Sequence, residues 1–169
     1  MKKHAIVYLI TFIISSALNA QENPVTTYYL IRHTEKVTSN PSDRDPDLTT
    51  TGERHARFWT DVLKDVKFDA VYSTPYIRTK RTAEILVENQ SLSLQLYDAK
   101  TLYDDNFKSK TEGKKVLVIG HSNTNPTFVN QVIGEKKYEW INEKNYNTLF
   151  IVTKVGEEAV AELINVPFN

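Results

Sequence analysis

The 169-residue chain contains no cysteine. That excludes a disulfide framework, and it excludes a lipid anchor built on an N-terminal cysteine. The chain also lacks net charge: 21 Lys and Arg balance 21 Asp and Glu. No global field therefore draws it to nucleic acid or to an anionic membrane surface, and any anion it binds must be held by a local cluster. There is no internal repeat and no low-complexity tract. The one extended apolar run lies at the start. Lys2 and Lys3 precede an apolar stretch from Ala5 to Ile14, followed by Ser15, Ser16, Ala17 and Asn19-Ala20. This is the charged, apolar and small-residue pattern of a secretory signal peptide, and the run is short for a membrane span. Cleavage is expected after Ala20, with Ala17 as the alternative; an uncleaved anchor is the other reading. The sequence thus predicts a signal peptide over 1–20, a single domain over 21–169, and a periplasmic or secreted location without membrane attachment. Removing Lys2 and Lys3 leaves 19 basic and 21 acidic residues, a net of −2.

What is present is the composition of one globular domain, 40% hydrophobic and 25% charged. Thr26–Ile31 is a continuous bulky run, as in a strand buried on both faces. Residues 37–47 are rich in Ser, Asn, Asp and Pro and read as a loop. Thr50 and Glu53 form a capping box opening a helix with Ala56, Trp59, Leu63 and Val66 on one face. Strands are predicted at Phe68–Tyr72, Leu92–Tyr97 and Val116–Ile119, and helices at Tyr76–Glu88 and from Pro126 to Ile133. Leu149–Val152 and Ala159–Ile164 read as a hairpin around Gly156. The alternation predicts an α/β fold: a three-layer α/β/α sandwich with a mainly parallel sheet and an antiparallel edge strand.

Three predicted strand ends carry chemistry. Arg32 and His33 follow the first strand, Arg78 follows the second, and Gly120-His121-Ser122 closes the central one. Ligands of open α/β sheets bind beyond the carboxyl ends of the strands. A neutral imidazole can attack phosphorus and split one difficult displacement into two easier ones, which makes His33 a candidate nucleophile. Guanidinium groups offer paired hydrogen bonds to phosphoryl oxygens, which makes Arg32 and Arg78 candidate phosphate ligands. Arg81, one helical turn beyond Arg78, fits a solvated face equally well, and Lys80 reads as surface. His55 reads as helix surface and His4 as part of the leader. No metal-site spacing is present, and the Asp43, Asp45, Asp47 run lacks the glycine and distal glutamate of a calcium loop; it reads as a solvated turn.

The segments Arg32-His33-Thr34-Glu35, Ser73-Thr74-Pro75-Tyr76-Ile77-Arg78-Thr79-Lys80-Arg81-Thr82-Ala83 and Gly120-His121-Ser122 occur in the order of three family motifs: R-H-x-E, S-x-P-x-x-R-x-x-x-T-A and G-H-S. In these the chain resembles the histidine phosphatase superfamily, also called the phosphoglycerate mutase-like family, over residues 26 to about 153. The resemblance implies a phosphoglycerate mutase-like fold and metal-independent chemistry without a cofactor. It implies His33 as the residue that becomes phosphorylated, and His121 as a donor to the transferring phosphoryl group. It implies a supporting position for Glu35. Ser122 could add a backbone donor where the chain turns into a helix. Many members carry a proton-donating carboxylate after the third strand. Asp98 is the candidate here, in Leu96-Tyr97-Asp98-Ala99, with Asp104 and Asp105 as competitors. Aspartate stands where glutamate is usual, and the usual glycine-rich continuation is missing.

The expectation is a histidine acid phosphatase-like hydrolase acting on a small phosphorylated substrate, a phosphomonoester, through a phosphohistidine intermediate. Two alternatives stand beside it: a protein phosphohistidine phosphatase, whose nitrogen leaving group needs an acid less, and a non-catalytic anion-binding module of the same fold.

Overall fold

The computed structural model describes residues 23–168, so the expected signal segment lies outside the described residues. In chain order the elements are β1 (Val25–Arg32), α1 (Thr50–Val62), β2 (Ala70–Ser73), α2 (Ile77–Leu86), β3 (Leu94–Leu96), α3 (Asp105–Thr111), β4 (Lys115–Gly120), α4 (Thr124–Ile133), β5 (Thr148–Val155) and β6 (Glu158–Asn165). The strands form one sheet in the order β3-β2-β4-β1-β5-β6. β3, β2, β4 and β1 run parallel, and β5 and β6 add an antiparallel ribbon beside β1. The fold is the expected α/β type, and the expected hairpin around Gly156 forms its antiparallel edge. No helix among the described residues is long and apolar enough to cross a membrane.

The period of two along each strand explains why both sheet faces are covered. Tyr28, Leu30, Val116 and Val118 point to the face packed by Phe107 of α3 and Phe128 and Val129 of α4. Ile31, Val71, Leu117 and Ile119 point to the opposite face, packed by Trp59 of α1 and Ala83 and Ile85 of α2. Tyr28, Phe107 and Phe128 meet edge-on or tilted with ring centroids 5.4–6.1 Å apart, the separations at which aromatic quadrupoles attract.

Local details depart from expectation in instructive ways. The cap of α1 is Thr49, not Thr50: its Oγ1 accepts from the Gly52 amide at 3.0 Å. Three consecutive threonines permit either frame. The choice is made by Glu35, whose carbonyl accepts from the Thr49 amide at 2.8 Å. A Cβ at Gly52 would collide with that same carbonyl. Glu53 is thereby freed to pair with Arg81 on α2 at 2.9 Å. α3 occupies residues for which the sequence predicts no element. Asp104 caps it by accepting from the Phe107 amide at 2.7 Å, and a seven-residue helix with one buried aromatic leaves little periodicity to read. α4 starts two residues before Pro126, which still sits where a helix needs no N–H.

Register positions the site. Arg32 lies opposite Gly120, and Ser73 opposite Ile119. The ends of β1, β2 and β4 are therefore level, and the residues just past them share one edge of the sheet.

Candidate active site

His33 is the first residue beyond β1, and its amide donates to the Gly120 carbonyl at 3.0 Å. Its Nδ1 lies 2.8 Å from the Thr34 carbonyl oxygen. A carbonyl can only accept, so Nδ1 carries the proton and Nε2 keeps its lone pair. The Thr34 amide is in turn tied to Thr82 Oγ1 on α2 at 3.2 Å, which fixes this corner. Burial pushes the imidazole down to about 2; the Thr34 carbonyl pulls the other way, and Arg32, His121 and Arg78 add to the depression. Burial thus favours the neutral imidazole.

His121 stands across from it, with ring centroids 5.4 Å apart and planes at 67°. Its Nε2 contacts Thr74 Oγ1 at 2.9 Å. The Thr79 hydroxyl has the Thr74 and Tyr76 carbonyls as acceptors, each at 2.9 Å. Its proton is committed there, so the Thr74 hydroxyl donates to Thr79 Oγ1 and accepts from His121 Nε2–H. Burial, then Arg78 and Arg32, push His121 down to about 4. Gly120 is required beside it, because a Cβ there would collide with Asn125 Oδ1 and crowd the Tyr97 hydroxyl.

Arg32 is 2% exposed. Its Nη1 donates to the carbonyls of Glu143 (2.7 Å) and Asn145 (3.3 Å), and its Nη2 to Glu143 Oε2 at 2.6 Å. Its plane lies over the Tyr146 ring at 4.2 Å. Arg78 lies over Tyr76 at 4.4 Å and reaches Asp45 Oδ1 at 3.4 Å. The Nε of each arginine is buried and meets no acceptor among the described residues. Ser122 is buried and contributes its hydroxyl, which donates to Glu143 Oε1.

Arg32, His33, Arg78, His121 and Ser122 line one cavity of about 460 Å³, with Lys36, Lys100 and Trp140 also in its wall. Asp98 is the exception. Its Oδ1 accepts from the Lys100 amide at 2.8 Å, and its carbonyl takes the amides of Thr101 and Leu102. This tight turn sends Ala99 and Lys100 to the cavity and leaves Asp98 exposed, lining a separate hollow with Tyr72, Gln95 and Lys110. The competitors are otherwise engaged: Asp104 caps α3, and Asp105 is a solvent-facing partner of Lys108. His55 is not on the surface. It is 1% exposed and holds Glu35 through Nδ1 at 3.0 Å. Burial raises the Glu35 carboxyl, and the His55 hydrogen bond and its own backbone more than reverse that, leaving it below its ordinary value. In the Asp43–Asp47 turn, Asp45 accepts from the Ile77 amide at 2.9 Å and so ties this loop to the start of α2. No group of three or more potential metal ligands comes together among the described residues.

Four residues of the site escape sequence reasoning: Thr74, Tyr76, Tyr146 and Glu143. The first two stand inside the second motif, between its defining positions. Tyr146 and Glu143 come from the loop before β5, more than 100 residues from Arg32 and without any motif of their own.

Residues 28–100 match the model of the histidine phosphatase superfamily, branch 1. The uncharacterized phosphatase PhoE of Bacillus subtilis (strain 168) is 38% identical over 69 residues, which are 41% of this chain and 32% of that protein. The match thus spans about a third of that relative. Among solved structures, the protein histidine phosphatase SixA complexed with tungstate superposes with a TM-score of 0.65 at 20% identity, covering 82% of this chain and 96% of that one. Phosphoglycerate mutase from Bacillus anthracis str. Sterne superposes at 0.63 and 15% identity, covering 85% and 94%. The three motifs meet at one edge of a phosphoglycerate mutase-like sheet, and over residues 28–100 the chain is similar to the histidine phosphatase superfamily.

Proposed function

We propose that the protein is a phosphatase that hydrolyses a small phosphomonoester through Nε2 of His33. One observation carries the reading: His33, whose Nδ1–H is held by the Thr34 carbonyl, lines a cavity together with buried Arg32, the mostly buried Arg78 and a second histidine. Nε2 attacks phosphorus, the bond to the leaving oxygen breaks, and the phosphoryl group resides on His33. Water then attacks phosphorus, the P–N bond breaks, and inorganic phosphate departs. Arg32 and Arg78 stabilise the charge that develops on the phosphoryl oxygens. The cavity suits a small substrate, and the aromatic face of Trp140 and the ammonium groups of Lys36 and Lys100 are available to its remaining part.

Rapid quench with labelled 4-nitrophenyl phosphate is expected to trap acid-labile, base-stable phosphate on His33. His33→Ala should form none, hydrolyse nothing and remain folded. Hydrolysis at the wild-type rate by that variant would end this reading. EDTA is expected to leave the rate unchanged.

A second reading, a protein phosphohistidine phosphatase, draws on the position of Asp98, which lies away from the cavity that holds His33. It predicts faster turnover of phosphoramidate than of any alkyl phosphate. We further propose export, on the strength of the Lys2-Lys3, apolar and small-residue pattern of the first 20 residues. N-terminal sequencing of the mature protein from the cell exterior should then begin at Gln21 or, with the alternative cleavage, Leu18.

A further inference from the structure

Of the side chains lining the cavity, only Glu143 carries a carboxylate. Its position is unusual. Oε2 takes a hydrogen bond from Arg32 Nη2 at 2.6 Å, and Oε1 takes one from the Ser122 hydroxyl. These are donors that a phosphoryl group on His33 would also draw on. The side chain is otherwise 75% exposed, so little besides those two contacts holds it in place. A hydroxyl has one proton, which Ser122 spends on Glu143, and a phosphoryl dianion drawn to Ser122 and Arg32 meets the carboxylate there as a like charge. A phosphoryl group entering the cavity therefore displaces the carboxylate.

We propose that Glu143 is a catalytic residue of the phosphoryl transfer, giving up Arg32 and Ser122 to the substrate and then serving as the proton donor to its leaving oxygen. The inference rests on the proposed phosphohistidine chemistry and supplies the acid that Asp98 does not. The Ser122 hydroxyl holds the Glu143 carboxyl below its ordinary value; partial burial opposes this, and Arg32 and Lys36 reinforce it. Around it stand Arg32 and His33 at the end of β1, Lys36 beyond them, Arg78 on α2, His121 and Ser122 after β4, and Tyr146 on its own loop. Displacement removes its two donors and sets it beside a phosphoryl dianion. Lost hydrogen bonds and a like charge both favour the protonated acid. His33 and Glu143 line the same cavity, His33 buried and Glu143 exposed, so a leaving group that departs from His33 toward solvent departs on the side where Glu143 lies. As the P–O bond breaks, the Glu143 proton passes to the departing oxygen. The resulting carboxylate then takes a proton from the water that attacks the phosphohistidine, which restores the acid as the P–N bond breaks.

An acid matters in proportion to the basicity of the leaving group. Single-turnover rapid quench should therefore follow phosphoenzyme formation from ethyl phosphate and from 4-nitrophenyl phosphate in wild type and Glu143→Gln. Glu143→Gln is expected to slow formation from ethyl phosphate by about 10² to 10⁴-fold and to leave formation from nitrophenyl phosphate nearly unchanged. The fall of the ethyl phosphate rate at high pH should vanish in the variant, and Glu143→Asp should restore part of the rate. Equal slowing on both substrates would overturn the acid role and leave a binding one. No slowing on ethyl phosphate would overturn the proposal outright. So would a wild-type protein that is phosphorylated by nitrophenyl phosphate but by no alkyl phosphate, since it would have no working acid. Failure of the underlying chemistry looks different: no phosphate on His33 of the wild type from either substrate.

Discussion

Arg78 and Arg81 stand one helical turn apart on α2 and have different surroundings. The Arg78 side chain is 12% exposed, stacked on Tyr76 and steadied by Asp45, with its Nε–H unfilled. Arg81 is 44% exposed and committed to Glu53. A fixed, desolvated donor aimed at developing charge contributes far more to a transition state than a surface ion pair does to anything. Arg78→Ala is expected to lower kcat/KM for nitrophenyl phosphate by about 3 kcal/mol, the scale for losing one preorganised donor. Arg81→Ala should change it little. Arg78→Lys should recover little of the loss, because an ammonium neither stacks on Tyr76 in the same way nor presents a planar fork. Equal damage from the two alanine variants would show that the wrong arginine has been placed in the site.

The elements serve the site through their ends. No α1 residue lines the cavity, yet its cap and second turn hold the motif loop: the Thr49 amide binds the Glu35 carbonyl, and His55 binds the Glu35 carboxylate. A cap matters because the first amides of a helix have no partner within it. Thr49→Ala is expected to cost about 1 kcal/mol of stability in urea unfolding, the usual cost of losing a threonine cap. Thr50→Ala, in the first turn and exposed, should stay within about 0.5 kcal/mol. If Thr50→Ala were the damaging substitution, the cap frame would be the one that the threonine triplet and Glu53 suggest. Gly52→Ala should impair both stability and turnover, because its methyl group would strike the Glu35 carbonyl and shift the loop that carries His33.

The whole molecule bears the strain of two neutral histidines at one edge of its sheet. An unfolded imidazole binds a proton below about 6.5, whereas folded His121 resists until about 4 and folded His33 until about 2. Below 6.5 the unfolded chain therefore binds more protons than the native one. Stability contributed by the neutral histidines is full above 6.5 and declines as the pH falls through that interval. Calorimetry in a buffer free of phosphate should show the melting temperature dropping from pH 6.5 toward 4. His121→Gln should flatten the drop. Vanadate or tungstate should oppose it, since an anion between Arg32, Arg78 and His121 favours imidazolium over imidazole. An identical slope in wild type and His121→Gln would assign the acid sensitivity elsewhere.

What is local could be read from the residues alone. Bulky runs gave β1 and β4, because strands buried on both faces have no polar side to show. Arg32, His33, Arg78 and His121 were legible because each follows a strand at a fixed spacing, and a level sheet edge then brings such residues together. Tertiary structure decided everything that depends on distant backbone. Glu35 selected Thr49 over Thr50 as a cap. A turn closed by its own carboxylate kept Asp98 out of the cavity. The burial of His55 required Glu35, twenty residues away. Glu143 reached Arg32 across 111 residues because its loop, fixed by the antiparallel pairing of β5 with β1, folds back over the sheet edge. Nothing in a run of Asn142-Glu143-Lys144-Asn145 marks such a contact, since a hydrogen bond between side chains so far apart in sequence exists only once the chain between them has folded.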